Sequence, residues 1–366
     1  MNQQILQIRD LQVKRGGVSV LDIPELSVEE GEFLSLIGPN GTGKSTLLLT
    51  LACLIKPFYG QLFFHNTEIA KNSSVIIYRR HVSMVFQEPL LFDTTVYENV
   101  AAGLKIRNIN IAQRDPIVRE YLERFGISHL SSRSARKLSG GEAQRTSLAR
   151  AFATKPEIIF LDEPFSSLDP PTKEGLIVDL DTILKEMKTT VLMTTHDQSE
   201  ALRLSDRIAV MNSGKIIQIG TSADVMNRPV NEFVASFTGM ESILKGTVAG
   251  NHEGIITADV AGRSIEAVGD LRIGTKVTCC IRPEHITLSR VRADSASSAR
   301  NSLSGKIEDI LSMGYFYKII LNCGFFLTSY VTRSSLEEMH LKKGDDVIAS
   351  FKATAVHIIR SSYSSY

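Results

Sequence analysis

One run of residues carries the plainest chemistry in the chain. Gly38-Pro39-Asn40-Gly41-Thr42-Gly43-Lys44-Ser45-Thr46 satisfies GxxxxGK[ST], a spacing that turns backbone N–H groups inward around an anion. The glycines permit the turn, the start of the following helix adds partial positive charge, Lys44 supplies a full one, and the Ser45 hydroxyl is left for Mg²⁺. The group so predicted to sit there is a phosphate. Farther on, the apolar run 158–161 ends in Asp162 and Glu163. At the end of a buried strand Asp162 is placed to hold Mg²⁺ and Glu163 to polarise an attacking water. Three smaller features accompany these. Gln87 follows the run 82–86, His196 follows 191–195, and Leu138-Ser139-Gly140-Gly141-Glu142 precedes the helical stretch 143–153. Singly they read as a polar strand end, a loop histidine and a Gly-rich helix cap.

The elements that must position these residues are legible in outline. Up to residue 237, short apolar runs (32–37, 81–86, 157–161, 190–194 and 207–211) alternate with helical periods (44–55, 119–125, 142–153 and 173–187). That order predicts an α/β domain with a largely parallel sheet. From residue 238 the texture changes to β-rich runs such as 275–281, 318–321 and 347–352, punctuated by Gly, Asn and Asp, which predicts a second, mostly β domain. The stretch 289–304, rich in Ser, Ala and Arg, reads by composition as a linker, and 361–366 as a frayed tail.

Composition removes several classes. At 366 residues the chain exceeds the roughly 250–300 at which one core stops growing, so two domains are expected. Hydrophobic residues at 43% and charged residues at 22% exclude a disordered chain. A formal charge of +1 gives no electrostatic reason for a nucleic-acid partner. No run approaches the ~18–20 apolar residues of a membrane span, and the opening MNQQILQIRD lacks a signal-peptide pattern, so a chain neither embedded nor exported is expected. Cys53, Cys279, Cys280 and Cys323 have no CxxC spacing and suggest neither zinc nor disulfides.

Taken in order, the motifs resemble the nucleotide-binding subunit of ABC transporters over residues 3–237. GPNGTGKST resembles the Walker A loop, Gln87 the Q-loop glutamine, LSGGE the signature, IIFLDE the Walker B strand, Ser167-Leu168-Asp169 the D-loop and His196 the switch histidine. The resemblance implies a P-loop ATPase domain with a helical subdomain that binds ATP and Mg²⁺. It implies that residues 38–46 hold the phosphates and that Ser45, Gln87 and Asp162 place Mg²⁺. It further implies that Glu163 acts on water, that His196 meets the γ-phosphate, and that a second copy packs head to tail. Ser139, Gly140, Gly141 and Asp169 then complete the nucleotide site across the dimer. The stretch Lys14-Arg15-Gly16-Gly17 lacks the family's adenine-stacking aromatic, which leaves the Arg15 guanidinium for that role. The segment 79–97, with Glu88-Pro89-Leu90-Leu91-Phe92, resembles the surface that receives an importer's integral membrane permease. An extracytoplasmic solute-binding protein and a position on the cytoplasmic face of the membrane follow from the same resemblance. The alternative of a soluble ABC protein acting on DNA or the ribosome usually brings coiled coils or paired cassettes, which this sequence lacks.

The second domain carries a further resemblance. Ile281-Arg282-Pro283-Glu284-His285-Ile286 is similar to the linker strand of an importer's regulatory OB-like β-barrel. Ser298-Ala299-Arg300-Asn301 through Ile307, with 341–347 and Ser350-Phe351-Lys352-Ala353-Thr354, resembles the Mop-like or TOBE molybdate-binding module over 297–359. By that resemblance Ser298, Arg300, Thr332 and Lys352 bind a tetrahedral dianion, for which hydroxyl and cationic donors are the right chemistry. Molybdate or tungstate uptake with feedback by the internal oxyanion is then expected. The alternative is another solute, such as sulfate, a sugar, a polyamine or iron, with a structural barrel.

Overall fold

The computed structural model describes residues 3–69, 72–290 and 297–360, so the tail and part of the linker-like stretch, 291–296, lie outside the described residues. The chain divides into two compact units, Met1–Ser222 and Ala223–Tyr366.

The first unit runs β1 (Gln4–Arg15), β2 (Val18–Glu29), β3 (Phe33–Ile37), α1 (Lys44–Leu51), β4 (Tyr59–Phe64), β5 (Thr67–Glu68), α2 (Asn72–His81) and β6 (Val82–Val85). It continues with α3 (Val96–Ile106), α4 (Ile111–Arg124), α5 (Gly140–Ala153), β7 (Ile158–Asp162), α6 (Pro170–Met187), β8 (Thr190–Thr195), α7 (Gln198–Leu204), β9 (Arg207–Asn212) and β10 (Lys215–Thr221). One sheet has the order β10-β9-β3-β8-β7-β6, parallel except for β10. β3, β7 and β8 are buried along their whole length, the state that near-continuous apolar runs predict for central parallel strands. The expected parallel sheet is therefore only part of the unit. A second, four-stranded sheet, β2-β1-β4-β5, is antiparallel, and the alternation of buried and exposed residues along β1 and β2 gives it one face toward the core. Helix α1 also stops short of the expected residue 55, because Cys53 turns into the left-handed region at φ 57°.

Register decides where the chemistry goes. Ile37 lies opposite Thr195 and Asp162 opposite Thr194, so the loop after β3, the acids after β7 and His196 after β8 emerge at one carboxyl edge. Helices α3 and α4 with the start of α5 form the helical part, joined to the central strands through a shared core containing Val100, Tyr121, Phe125, Phe152 and Leu161.

The second unit holds α8 (Ser222–Asn227), α9 (Glu232–Phe237), β11 (Ser242–His252), β12 (Ile255–Val260), β13 (Arg263–Val268), β14 (Lys276–Ile281), β15 (Thr287–Ser289) and β16 (Asn301–Ser312). β17 (Phe316–Asn322), β18 (Phe326–Thr332), α10 (Arg333–Glu338), β19 (Asp346–Phe351) and β20 (Val356–Arg360) complete it. Its two five-stranded antiparallel sheets, β13-β12-β11-β14-β20 and β15-β19-β16-β17-β18, fit the mostly β expectation. The break between units falls earlier than residue 237, since α9 is tied to the strands that follow it. Thr278 Oγ1 donates to Glu232 at 2.9 Å, Arg282 donates to the Met226 and Thr238 carbonyls at 2.6 and 2.9 Å, and Ala235 packs with Met240, Cys280 and Ile359.

Candidate functional site

The phosphate loop is shaped by what lies behind it. Gly38 sits at φ +154°, where a Cβ would stand 2.3 Å from the Met211 carbonyl oxygen of β9. Gly43, at φ +99°, has the Leu21 side chain 2.7 Å from its absent Cβ. Gly38 therefore requires glycine for space, and both positions favour it for backbone freedom. The β9–β10 turn braces the loop from another side, with Gly214 N donating to the Thr42 carbonyl at 3.0 Å. Thr42 Oγ1 in turn donates to the Pro39 carbonyl at 2.9 Å. Lys44 is buried, and its ammonium donates to the Gly38 and Pro39 carbonyls at 2.8 and 3.0 Å. Burial pulls its pKa below the usual lysine range, against the opposing fields of Glu163 and Asp162. Lys44, Ser45 and Thr46 form the first turn of α1, where backbone N–H groups have no partner within the helix.

Asp162 and Glu163 stand where the sequence puts them. Asp162 is buried, and its Oδ1 accepts from Ser45 Oγ at 2.8 Å and from Thr194 Oγ1 at 2.6 Å. Glu163 follows with φ 44°, a strained conformation for a non-glycine residue, held by its N–H donating to the Thr194 carbonyl at 3.1 Å and to Thr194 Oγ1 at 3.0 Å. Its side chain accepts from His196 Nδ1 at 3.1 Å, so the two residues are brought together. His196 is set by the loop after it: Asp197 caps α7 through Ser199 N, and Lys173 of α6 reaches Asp197 at 2.5 Å and Glu200 at 2.6 Å. Burial raises the Asp197 pKa, but Lys173 and Ser199 outweigh it and bring it to about 2. Thr194 and Lys173, which hold these residues in place, carried no signal in the sequence, because each acts through a partner distant in the chain.

Other expected residues are placed apart from this cluster. Gln87 is exposed and donates through Nε2 to Ser166 Oγ at 3.3 Å. The structure thus joins it to the loop after Glu163, while no hydrogen bond among the described residues links it to Ser45 or Asp162. Ser139 caps α5 in a reciprocal box, accepting from Glu142 N at 3.3 Å and donating its own N–H to Glu142 Oε2 at 2.7 Å. That N–H holds the Glu142 carboxyl below its usual range. Gly140 and Gly141 open the helix, and a Cβ on Gly141 would press on Thr172 at 2.7 Å. Asp169 caps α6 by accepting from Thr172 N at 3.2 Å. Among the described residues no hydrogen bond links Ser139, Gly140 or Gly141 to the phosphate loop. Arg15 is exposed at the tip of the β1–β2 hairpin opposite Val18, which is 68% exposed. Leu90 and Phe92 are exposed and Leu91 is half-buried. Arg150 of α5 donates to the Leu90 carbonyl at 2.7 Å, and Asn99 of α3 exchanges hydrogen bonds with the Phe92 backbone at 2.7 and 3.0 Å.

In the second unit Ser298, Arg300 and Lys352 are exposed. Arg300 and Lys352 lie one register step beyond the Asn301–Phe351 pair of β16 and β19. Thr332 departs from the expectation. It lies opposite Phe316 at the start of β17, whose Tyr317 faces Ser312 at the far end of β16, roughly 35 Å of strand contour from Asn301. Its hydroxyl caps α10 by accepting from Ser335 N at 3.2 Å. Within one chain it does not join the other three. Among the described residues no group of three His, Cys, Asp or Glu side chains is arranged for a metal, all four cysteines are free thiols, and no helix is long and apolar enough to cross a membrane.

Comparison with known proteins agrees with this arrangement. The family described as ABC transporter matches residues 21–166, and the TOBE domain matches 297–358. A molybdate/tungstate import ATP-binding protein, WtpC, of Pyrococcus horikoshii is 39% identical over 90% of this chain and 93% of its own. A spermidine/putrescine import ATP-binding protein, PotA, of Fusobacterium nucleatum is 36% identical over 86% of this chain and 84% of its own. The sulfate/thiosulfate import ATP-binding protein CysA of Mycolicibacterium paratuberculosis is 34% identical over 93% of this chain and 88% of its own. Among solved structures, cbiO1 from Clostridium perfringens, part of the ABC transporter complex cbiONQ, superposes with a TM-score of 0.58 at 29% identity, covering 62% of this chain and 92% of that one. With its glycine-rich loop, two acids and His196 gathered on one sheet edge, the chain belongs to the ABC transporter family, as the ATP-hydrolysing subunit of an importer with a C-terminal TOBE domain.

Proposed function

We propose that this importer ATPase serves molybdate- or tungstate-type oxyanions and that its second unit senses the same dianion. The observation that carries the reading is the placement of Arg300 and Lys352 side by side at the end of β16 and β19, in the segment that matches the TOBE domain. Two adjacent cations with nearby hydroxyls suit a tetrahedral dianion. Spermidine is itself a cation and would meet repulsion there. A polyamine or sulfate importer with a structural barrel is the second reading, favoured by relatives of both kinds at similar identity.

On the catalytic side, Lys44 and the loop N–H groups bind the β- and γ-phosphates of ATP, and Glu163, oriented by Thr194 and His196, accepts a proton from the attacking water. The paired oxygens of Ser45 and Asp162 fit a hard divalent cation, so Mg²⁺ held there with Gln87 would neutralise phosphate charge. Arg15 and Val18 at the hairpin tip offer a guanidinium plane and an apolar surface to adenine. A second copy supplies Ser139, Gly140, Gly141 and Asp169 across a head-to-tail dimer, the exposed N-terminus of α5 acting as a second anion-binding end. Leu90 and Phe92 dock an integral membrane permease at the cytoplasmic face, and the permease receives solute from an extracytoplasmic binding protein. An oxyanion bound to the second unit shifts the open–closed equilibrium by its differential affinity, typically 1–3 kcal/mol, so partial inhibition follows.

Calorimetry on the full chain with sodium molybdate, tungstate, sulfate and spermidine tests the reading. Molybdate or tungstate binding that exceeds sulfate binding and disappears in Arg300→Ala supports it. Binding of spermidine alone, or of no oxyanion, refutes it.

A further inference from the structure

Glu163 is held from both sides in a backbone conformation that a residue with a Cβ does not favour. At φ 44° it lies in the left-handed region. Thr194 of β8 takes its N–H. Its carbonyl is tied by one residue: Ser166 donates to it through Oγ at 3.1 Å and through its own N–H at 3.3 Å. Pro164 has no N–H to give, and Phe165 anchors the turn in the core that also contains Val100 and Leu161. Among the described residues no other donor reaches the Glu163 carbonyl.

Ser166 is also the point at which a second strand end enters. A hydroxyl has one proton to give and two lone pairs to receive. With its proton on the Glu163 carbonyl, Ser166 Oγ accepts from Gln87 Nε2 at 3.3 Å. β6 and β7 are parallel neighbours with Val85 opposite Leu161, so register brings Gln87 and Ser166 to one edge although 79 positions separate them. The outcome is a chain of two hydrogen bonds, Gln87 to Ser166 to Glu163. Bonds in such a chain polarise one another, so the Gln87 amide makes the Ser166 hydroxyl a better donor. Gln87 runs on into 88–92, whose backbone is gripped by Arg150 of α5 and Asn99 of α3. The chain therefore leads from the helical part to the backbone of Glu163.

We infer that Ser166 is a positioning residue for ATP hydrolysis, locking the Glu163 backbone and making the orientation of its carboxylate depend on where Gln87 stands. The inference rests on the reading of Glu163 as the base and adds what holds that base in place. Ser166 touches no reacting atom. When Gln87 withdraws, the hydroxyl becomes a weaker donor and the strained residue relaxes, and when Gln87 returns the lock is restored. A shift of the segment 87–92 is thereby converted into a change of turnover, with the phosphate loop unaltered.

The test is steady-state ATPase kinetics on the full chain with Ser166→Ala, Ser166→Thr, Gln87→Ala and the Gln87→Ala/Ser166→Ala double variant, each checked for folding by thermal melting. Ser166→Ala removes one neutral hydrogen bond to the Glu163 carbonyl, so kcat is expected to fall about 3- to 10-fold with KM for ATP unchanged, the split that marks lost positioning. Ser166→Thr keeps the hydroxyl and is expected to recover kcat. In the Gln87→Ala background, Ser166→Ala should have a clearly smaller effect than it has in the wild type, because both residues act through one chain. A folded Ser166→Ala variant with kcat within about 1.5-fold of wild type, or a threonine variant as slow as the alanine one, would overturn the positioning role. Effects of the two substitutions that simply multiply would overturn the dependence on Gln87. Glu163→Gln in the same assay separates this inference from the reading beneath it. Slow turnover there beside normal turnover in Ser166→Ala sinks only the inference, whereas normal turnover in Glu163→Gln sinks both.

Discussion

Thr194→Val is a nearly isosteric change at a fully buried position, and it tests how the catalytic edge is held. The hydroxyl donates to Asp162 Oδ1 at 2.6 Å and accepts from Glu163 N at 3.0 Å. Valine removes both contacts while keeping the volume. The Glu163 N–H still has the Thr194 carbonyl at 3.1 Å, so it is not orphaned, and the main loss is one hydrogen bond to a buried carboxylate. Hydrogen bonds to charged groups contribute about 1.5–3 kcal/mol. For a unit of this size that is a fall of roughly 3–12 °C in melting temperature. Because Glu163 sits at φ 44° and relies on Thr194 to stay there, its carboxylate should also lose orientation. We expect kcat for ATP hydrolysis to fall about tenfold with little change in KM, the split that marks loss of positioning in the transition state rather than loss of binding. Steady-state ATPase kinetics and calorimetric melting measure both, and Thr194→Ser should restore kcat. Wild-type kcat in a folded valine variant would refute the claim that this hydroxyl positions the base.

Glu163→Gln should retain ATP binding but hydrolyse at least about 10²-fold more slowly and accumulate as an ATP-bound dimer on size exclusion, and near-normal turnover would remove Glu163 as the base. Phe92→Asp, on the exposed part of the segment fixed by Asn99 and Arg150, should leave the melting temperature and basal ATPase unchanged while abolishing co-purification with permease subunits. Acid should loosen the His196 loop: Asp197 has its folded pKa depressed to about 2 from the usual 3.8 of an aspartate, so its stabilising contribution is complete above about pH 4 and is lost as pH falls toward 2. Asp197→Asn should flatten stability against pH in that window, and an unaltered acid limb would show that Lys173 holds the loop without it.

Much of the nucleotide site was legible because its signals are local. The spacing from Gly38 to Thr46 constrains a single turn and the helix that follows, and the run 158–161 can only be a buried strand, which delivers Asp162 and Glu163 to its end whatever the rest of the chain does. The 12-residue strands β1 and β2 were harder to read, since their half-buried alternation gains meaning only when each has the other to pair with. Thr194 is ordinary in sequence, and it meets Asp162 and Glu163 because the parallel register sets it beside Asp162. The same holds in the second unit. There the family resemblance grouped Thr332 with Arg300 and Lys352, but strand register moved Thr332 to the far end of β16 and put Ser302 opposite Ser350. Sequence determines which donors and acids exist and what their immediate neighbours make of them. Tertiary structure decides which of them meet, because a strand pair joins residues dozens of positions apart and a single step of register reverses the face on which each side chain lies.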